Sequence, residues 1–199
     1  MAQNKIRYKV VVIGGSAGSL DIILKIISYS NEAAGILFII IIHRKNDINS
    51  TLPGLFSIRT KLKVKEVEDK DYILPGHIYI APPDYHLLLE NENTFSLDAS
   101  EKIYFSRPSI DVTFESAADV FGASVIGVLL SGANADGAHG LSTIHQAGGF
   151  TIVQDPESAE VDYMPRQAID KLKPDAIIHA EEIPGFLKKI ISTQQNNSD

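Results

Sequence analysis

Four continuous runs of β-branched and aliphatic residues constrain this fold most, because segments of helical periodicity separate them. The runs are Tyr8–Ile13, Ile36–Ile42, Ser124–Leu130 and Phe150–Val153. After the first run, apolar residues recur at helical spacing: Leu20, Ile23, Leu24 and Ile27. Strands that are apolar at every position are typical of parallel sheets buried on both faces. The pattern therefore predicts an α/β fold: one domain with a doubly wound, mostly parallel sheet and helices on both faces.

The other segments extend this pattern and interrupt it once. A shorter strand is predicted around Leu62–Val64, a helix from Ile110 that stops at Gly122, and a last strand at Ala176–Ile178. Between residues 71 and 98, two Pro-containing turns punctuate short strands around Ile78–Ile80 and Leu87–Leu89, which predicts a β-hairpin insertion. We expect the domain to span residues 7–192 and a polar, disordered tail to cover 193–199.

Composition excludes several classes of protein. Among 199 residues there is no cysteine, which excludes thiol catalysis, cysteine-bound zinc and disulfides. The net charge of −7 disfavours nucleic acid as the main partner, because an acidic chain repels phosphate. No apolar run is long enough to insert into a membrane or to form the core of a signal peptide. We therefore expect a cytoplasmic protein.

The first strand is followed by Gly14-Gly15-Ser16-Ala17-Gly18, a G-x-S-x-G sequence between a strand and a helix. Such a turn exposes a serine hydroxyl as a nucleophile. Two other interpretations stay open at this point: Ser16 or Ser19 caps the helix, or the loop binds phosphate at the helix N-terminus. The second glycine of a dinucleotide-binding loop is replaced by Ser16, and no Gly-Lys-Ser/Thr of a P-loop is present.

Two further polar residues follow buried strands. His43 comes directly after the second run, and Asp136 lies in the loop after the third. Taken singly, His43 fits a surface histidine and Asp136 a helix N-cap. Because ligands bind at the carboxyl ends of parallel strands, the three residues are expected at one edge of the sheet. There they supply a nucleophile, a general base and a carboxylate that orients the imidazole.

The remaining histidines give a weak signal. His77 and His86, together with Asp84, flank the predicted hairpin, but their spacing is not that of a chelating cluster. We predict no metal site.

Beyond these residues, the chain from about Tyr8 to about Phe186 resembles the catalytic domain of the chemotaxis protein-glutamate methylesterase (CheB) family. Several ordered segments carry the resemblance: residues 13–18, 75–82, 106–111, 136–141, 147–149, 154–155 and 164–165. The family hydrolyses glutamate methyl esters on chemoreceptors and deamidates certain receptor glutamines. The resemblance implies a serine hydrolase with Ser16 as nucleophile, His43 as base and Asp136 as the third member of the triad, and it implies no cofactor.

The resemblance also suggests where this chain departs from its family. Ala17 stands where threonine is usual, and Ala133-Asn134 where methionine-glycine is usual. These three residues are assigned to the oxyanion and substrate pocket, with the Ala17 N–H as the oxyanion donor. We expect the Ala133-Asn134 pair to weaken activity on standard methylated receptor peptides, and its replacement by methionine-glycine to raise it.

The implied partner is a methylated chemoreceptor or a similar signalling protein. Family members usually carry an N-terminal receiver domain, and none is expected here, which leaves a separate receiver protein as a candidate regulator. Two rival interpretations remain: a serine esterase or amidase of the same fold with another substrate, and a non-catalytic module that binds a partner.

Overall fold

A parallel sheet of seven strands is the centre of the computed structural model, which describes residues 9–30, 35–44 and 52–195 and gives side chains as far as residue 192. The strand order is β3-β4-β2-β1-β7-β8-β9. The strands are β1 (Val10–Gly15), β2 (Leu37–Ile42), β3 (Lys63–Glu66), β4 (His77–Ile80), β7 (Val125–Leu129), β8 (Phe150–Gln154) and β9 (Ala176–Ile178). Every described pairing in this sheet is parallel, as the continuous apolar runs predicted.

Helices cover both faces of the sheet, and each face has its own apolar core. One core contains residues of α3 (Ile110–Phe121), α4 (Ala138–Gln146) and α5 (Tyr163–Lys171). The other contains residues of α1 (Leu20–Tyr29), α2 (Leu52–Ser57) and α6 (Ile183–Gln195). The predicted doubly wound α/β fold is confirmed.

The predicted hairpin is present, but only one of its strands, the one around Leu87–Leu89, is a predicted one. Strand β5 (His86–Asn91) pairs antiparallel with β6 (Thr94–Asp98) and packs on α3. The prediction that residues 78–80 belong to the hairpin is wrong, because β4 lies in the main sheet between β3 and β2. Residues Pro82-Pro83 follow β4 and end it, since proline cannot donate to a strand ladder.

At the C-terminus, α6 continues through Gln195, so the first three residues of the predicted tail are helical. Residues 196–199, and the predicted start of the domain at residues 7 and 8, lie outside the described residues. Among the described helices, none has the length and apolar character needed to cross a membrane.

Candidate active site

Ser16 and His43 are neighbours at the carboxyl edge of the sheet because the strands before them are paired. Gly15 is the register partner of Ile42, so the next residue on each strand lies beside the other. The His43 N–H donates to the Gly15 carbonyl at 3.2 Å, and the Ser16 N–H donates to the Ser131 carbonyl at 2.9 Å. Ser16 is thus held between the ends of β2 and β7.

The Asp136 carboxylate lies at the N-terminus of α3 and is fully buried. Its Oδ2 accepts from the Ile110 N–H at 2.7 Å and from His43 Nε2 at 2.8 Å. Its Oδ1 accepts from the Ser109 hydroxyl at 2.8 Å and from the Asp111 N–H at 2.9 Å. Asp136 does not cap the helix that follows it, α4, so the N-cap interpretation of this residue is wrong for that helix.

Burial opposes ionisation of Asp136, but the hydrogen bonds from His43 and from the backbone of Asp111 and Ile110 outweigh it. The pKa of this carboxyl therefore lies below its usual range. Because an ionised carboxylate only accepts hydrogen bonds, His43 Nε2 is assigned as a donor to Asp136. In the neutral imidazole with this tautomer, the second ring nitrogen, Nδ1, carries a lone pair, which is the form of a general base.

A serine that the strand-end argument did not select faces this lone pair. The Ser106 hydroxyl lies 3.3 Å from His43 Nδ1. Asn134 Nδ2 donates to the Ser106 hydroxyl at 3.1 Å and to the Tyr104 carbonyl at 3.2 Å. The Ser106 hydroxyl has two acceptors within reach, His43 Nδ1 and the Tyr104 carbonyl at 3.5 Å. Asn134, assigned to the pocket on sequence, thus connects the Asp136 loop to the segment opposite His43, while Ala133 is exposed.

The Ser16 hydroxyl makes no hydrogen bond with any described residue. Beside it, a Cβ added to Gly132 would lie 3.1 Å from the Ser16 Cβ and 2.4 Å from the Met164 Cε, so a larger residue there would have to displace the end of the Met164 side chain. The Ala17 N–H also has no acceptor in the described part of the chain. The Ser19 hydroxyl donates to the Ser16 carbonyl at 2.7 Å and does not cap α1. The turn therefore presents a free hydroxyl and a free N–H side by side.

A second buried carboxylate, that of Asp111, binds the N-terminus of α4 in the same way that Asp136 binds the N-terminus of α3. Its Oδ1 accepts from the Gly137 N–H at 2.8 Å and the Gly140 N–H at 2.7 Å, at the N-terminus of α4. Asp136, just before α4, caps α3, and Asp111, in the first turn of α3, caps α4. Desolvation, together with the nearby charges of Asp136 and Glu115, raises the pKa of Asp111 to about 6, against the opposing hydrogen bonds.

Sequence reasoning did not assign Ser106, Ser109 or Asp111 a role. Ser109 carries a usable signal, since serine directly before a helical run is typical of an N-cap, and it caps α3. His86 is buried and accepts from the Ser109 N–H at 3.0 Å, which gives it a structural contact. In the part of the chain described, no three His, Asp or Glu side chains converge in a way that would hold a metal ion.

A parallel α/β sheet with serine, histidine and buried aspartate at its carboxyl edge defines the class of candidate serine hydrolases. The family model described as CheB methylesterase matches residues 11–187. The chain belongs to the CheB methylesterase family. The predicted family is confirmed, and so is the prediction of an enzyme of this kind.

Individual relatives agree with this assignment. A Leptospira interrogans protein with a provisional protein-glutamate methylesterase/protein-glutamine glutaminase name is 43% identical over 96% of this chain and 97% of its own length. A Chromohalobacter salexigens enzyme with the same name is 37% identical over 91% of this chain, which spans 52% of that relative. The crystal structure of the Thermotoga maritima CheB methylesterase catalytic domain matches with a TM-score of 0.85 at 32% identity, covering 93% of this chain and all of that one.

Proposed function

We propose that this protein hydrolyses glutamate γ-methyl esters on chemoreceptor-like proteins in the cytoplasm, with Ser16, His43 and Asp136 as its catalytic triad. The observation that carries this proposal is the hydrogen bond from His43 to Asp136 beside the unbonded hydroxyl of Ser16. The names of the relatives support the substrate class.

In acylation, Ser16 Oγ attacks the ester carbonyl carbon and His43 Nδ1 takes the hydroxyl proton. Asp136 offsets the charge of the imidazolium, and the Ala17 N–H donates to the oxyanion of the tetrahedral intermediate. The intermediate collapses when the C–O bond to the methoxy group breaks, and His43 returns its proton to the departing methanol. The product is an acyl-enzyme ester on Ser16.

In deacylation, water attacks the acyl carbon while His43 Nδ1 takes one of its protons. The bond to Ser16 Oγ then breaks, the proton passes to that oxygen, and a free glutamate side chain is released. Hydrolysis of a glutamine amide follows the same course with ammonia as the leaving group, which agrees with the second activity in the relatives' names.

The experiment is methanol release from a methylated chemoreceptor, with Ser16→Ala as the test variant. We expect kcat to fall on the order of 10³-fold or more, because the nucleophile acts as a unit with its base. Labelling by a fluorophosphonate probe should vanish in the same variant. Methanol release that survives Ser16→Ala would contradict the assignment, and a labelled protein that releases no methanol would favour an esterase with another substrate.

A further inference from the structure

A two-residue hairpin turn faces the candidate site and carries side chains that its backbone disfavours. Ile103 and Ser106 exchange both backbone hydrogen bonds, at 3.2 Å and 2.8 Å. The residues between them, Tyr104 and Phe105, have φ angles of +47° and +62°. Two positive φ angles in a two-residue loop define a type I′ turn, in which asparagine and glycine are preferred. Two aromatic residues in these positions strain the backbone.

The same turn exposes apolar surface. Phe105 is 97% exposed, more than any other large apolar side chain among the described residues, and Tyr104 is 49% exposed. Neither the backbone strain of this turn nor the exposed phenyl ring stabilises the folded protein. Such features accumulate where a protein contacts its ligands.

The turn is bonded to the catalytic machinery proposed above. Ser106, its last residue, lies against His43 Nδ1, and Asn134 donates to both Tyr104 and Ser106. These contacts fix the backbone of the turn, and with it the Cα of Phe105, relative to the imidazole. Phe105 and His43 line one cavity of about 400 Å³.

The charges around this cavity differ in sign from those of the whole chain. Lys102 and Arg107 line it, against the single carboxylate of Asp84. Arg107 donates to the carbonyls of Ala99 and Ser100, and in the described part of the chain neither cation lies within 4 Å of a carboxylate. Arg44, also at the cavity, pairs with Glu66. A chain of net charge −7 thus presents a locally cationic surface beside its candidate base.

We propose that the Ile103–Ser106 turn is the substrate-docking element of this enzyme, with Phe105 as its main contact. This proposal rests on the proposed function. The occupant is an acidic peptide segment whose glutamate methyl ester enters the site between Ser16 and His43. An apolar side chain of that segment packs on Phe105, and its neighbouring carboxylates lie over Lys102 and Arg107. Apolar burial supplies affinity, and the cations select acidic segments.

The test is binding, measured with the full chain carrying Ser16→Ala so that hydrolysis does not consume the ligand. The probe is a fluorescein-labelled helical peptide of about 20 residues with one glutamate γ-methyl ester, flanking glutamates and a leucine one helical turn away. We expect Phe105→Ala to raise Kd about 10-fold or more, the loss of one buried aromatic contact. Ile58→Ala, which truncates another exposed apolar residue (76% exposed), is the matched control and should leave Kd within about 2-fold.

A second variant separates docking from folding. The double substitution Tyr104→Asn with Phe105→Gly keeps the turn, and its residues tolerate positive φ angles better. Because the backbone strain falls, the thermal midpoint should rise by roughly 2–4 °C. Peptide affinity should nevertheless fall as it does for Phe105→Ala. A peptide in which glutamine replaces the flanking glutamates should bind about 10-fold more weakly, and the difference should shrink at high salt.

The proposal is overturned if the methylated peptide shows no saturable binding, if Phe105→Ala binds it as well as the parent, or if Ile58→Ala weakens it equally. Failure of the proposed function looks different. A protein that binds the peptide through Phe105 yet releases no methanol with Ser16 intact retains the docking element and loses the reaction.

Discussion

Asp136 accepts four hydrogen bonds, whereas the Ser16 hydroxyl forms none with the described residues. The fold therefore fixes the position of the Asp136 carboxylate and leaves the Ser16 hydroxyl unrestrained. The carboxylate is fixed before substrate arrives, so the imidazole it holds is already oriented. The hydroxyl is not held by any described side chain or backbone group, as the proposed nucleophile role requires.

The contacts of Asn134 give a prediction at the residue scale. The sequence suggested that glycine here would raise activity on methylated receptor peptides, whereas these contacts predict that it lowers it. Asn134→Gly removes the donors to Tyr104 and Ser106 that hold the docking turn against His43. We expect kcat/KM for a methylated receptor peptide to fall about 3- to 10-fold, the effect of one or two hydrogen bonds. Asn93→Gly, at an exposed asparagine between β5 and β6, serves as the matched control. A rise in kcat/KM would restore the sequence-based expectation.

At the scale of helices and strands, the contact between α3 and α4 determines where Asp136 lies. Each helix receives, at its N-terminus, a carboxylate from the start of the other, which suits the partial positive charge there. Gly140 permits this approach, because a Cβ at that position would lie 2.5 Å from the Phe114 Cβ and 2.8 Å from the Asp111 carbonyl oxygen. Asp136, the carboxylate proposed for the triad, is thereby built into the joint between two helices.

The raised pKa of Asp111 predicts how the stability of this joint depends on pH. Between pH ~4 and ~6 the unfolded chain has lost this proton while the folded chain keeps it, so the free energy of unfolding falls as pH rises. Above pH ~6 the contribution is constant. Asp111→Asn keeps an Oδ1 acceptor for Gly137 and Gly140 but cannot titrate.

Urea unfolding of the two proteins from pH 4 to 8 checks this. The free energy of unfolding of the parent minus that of Asp111→Asn should decrease by about 2–3 kcal/mol between pH 4 and pH 7. The subtraction removes the titration of groups that do not interact with Asp111, while Asp136 and Glu115, which do, contribute to the difference. A difference independent of pH would show that burial does not perturb this carboxyl.

At the scale of the whole molecule, the sheet separates two apolar cores, and only one of them supports the helices that hold Asp136. The core that contains Phe114 lies under α3 and α4, whereas Phe38 belongs to the opposite core with α1 and α6. Phe38→Ala should lower the free energy of unfolding by about 3–5 kcal/mol, because the side chain is 1% exposed.

The turnover of the protein that remains folded should not change in Phe38→Ala, with active sites counted by fluorophosphonate labelling. Phe114→Ala should cost similar stability and also lower kcat, because its ring packs beside Gly14 and its Cβ against α4. Equal losses of kcat in both variants would mean that the two faces do not act independently.

Much of this fold was predictable because buried parallel strands are uniformly apolar and therefore conspicuous. Ser16, His43 and Asp136 could be selected because each follows such a strand. Strand β6 and the place of β4 were not predictable in this way, since strand order depends on crossovers that no local pattern records. The pairing of Asp136 with Ser109 and Asp111 joins residues about 25 positions apart across two helix ends, and neither segment alone indicates the other.

The reciprocal capping of α3 and α4 bears on how inactive descendants of this enzyme would look. A lineage that lost the reaction would be free to replace Ser16, whose hydroxyl no described residue needs. It would still need Asp136, because losing that carboxylate would leave the buried N–H groups of Ile110 and Asp111, at the start of α3, without their acceptor. In surveys of genomes, an aspartate at this position is therefore evidence of the fold, and under the proposed function the serine is the residue from which activity should be judged.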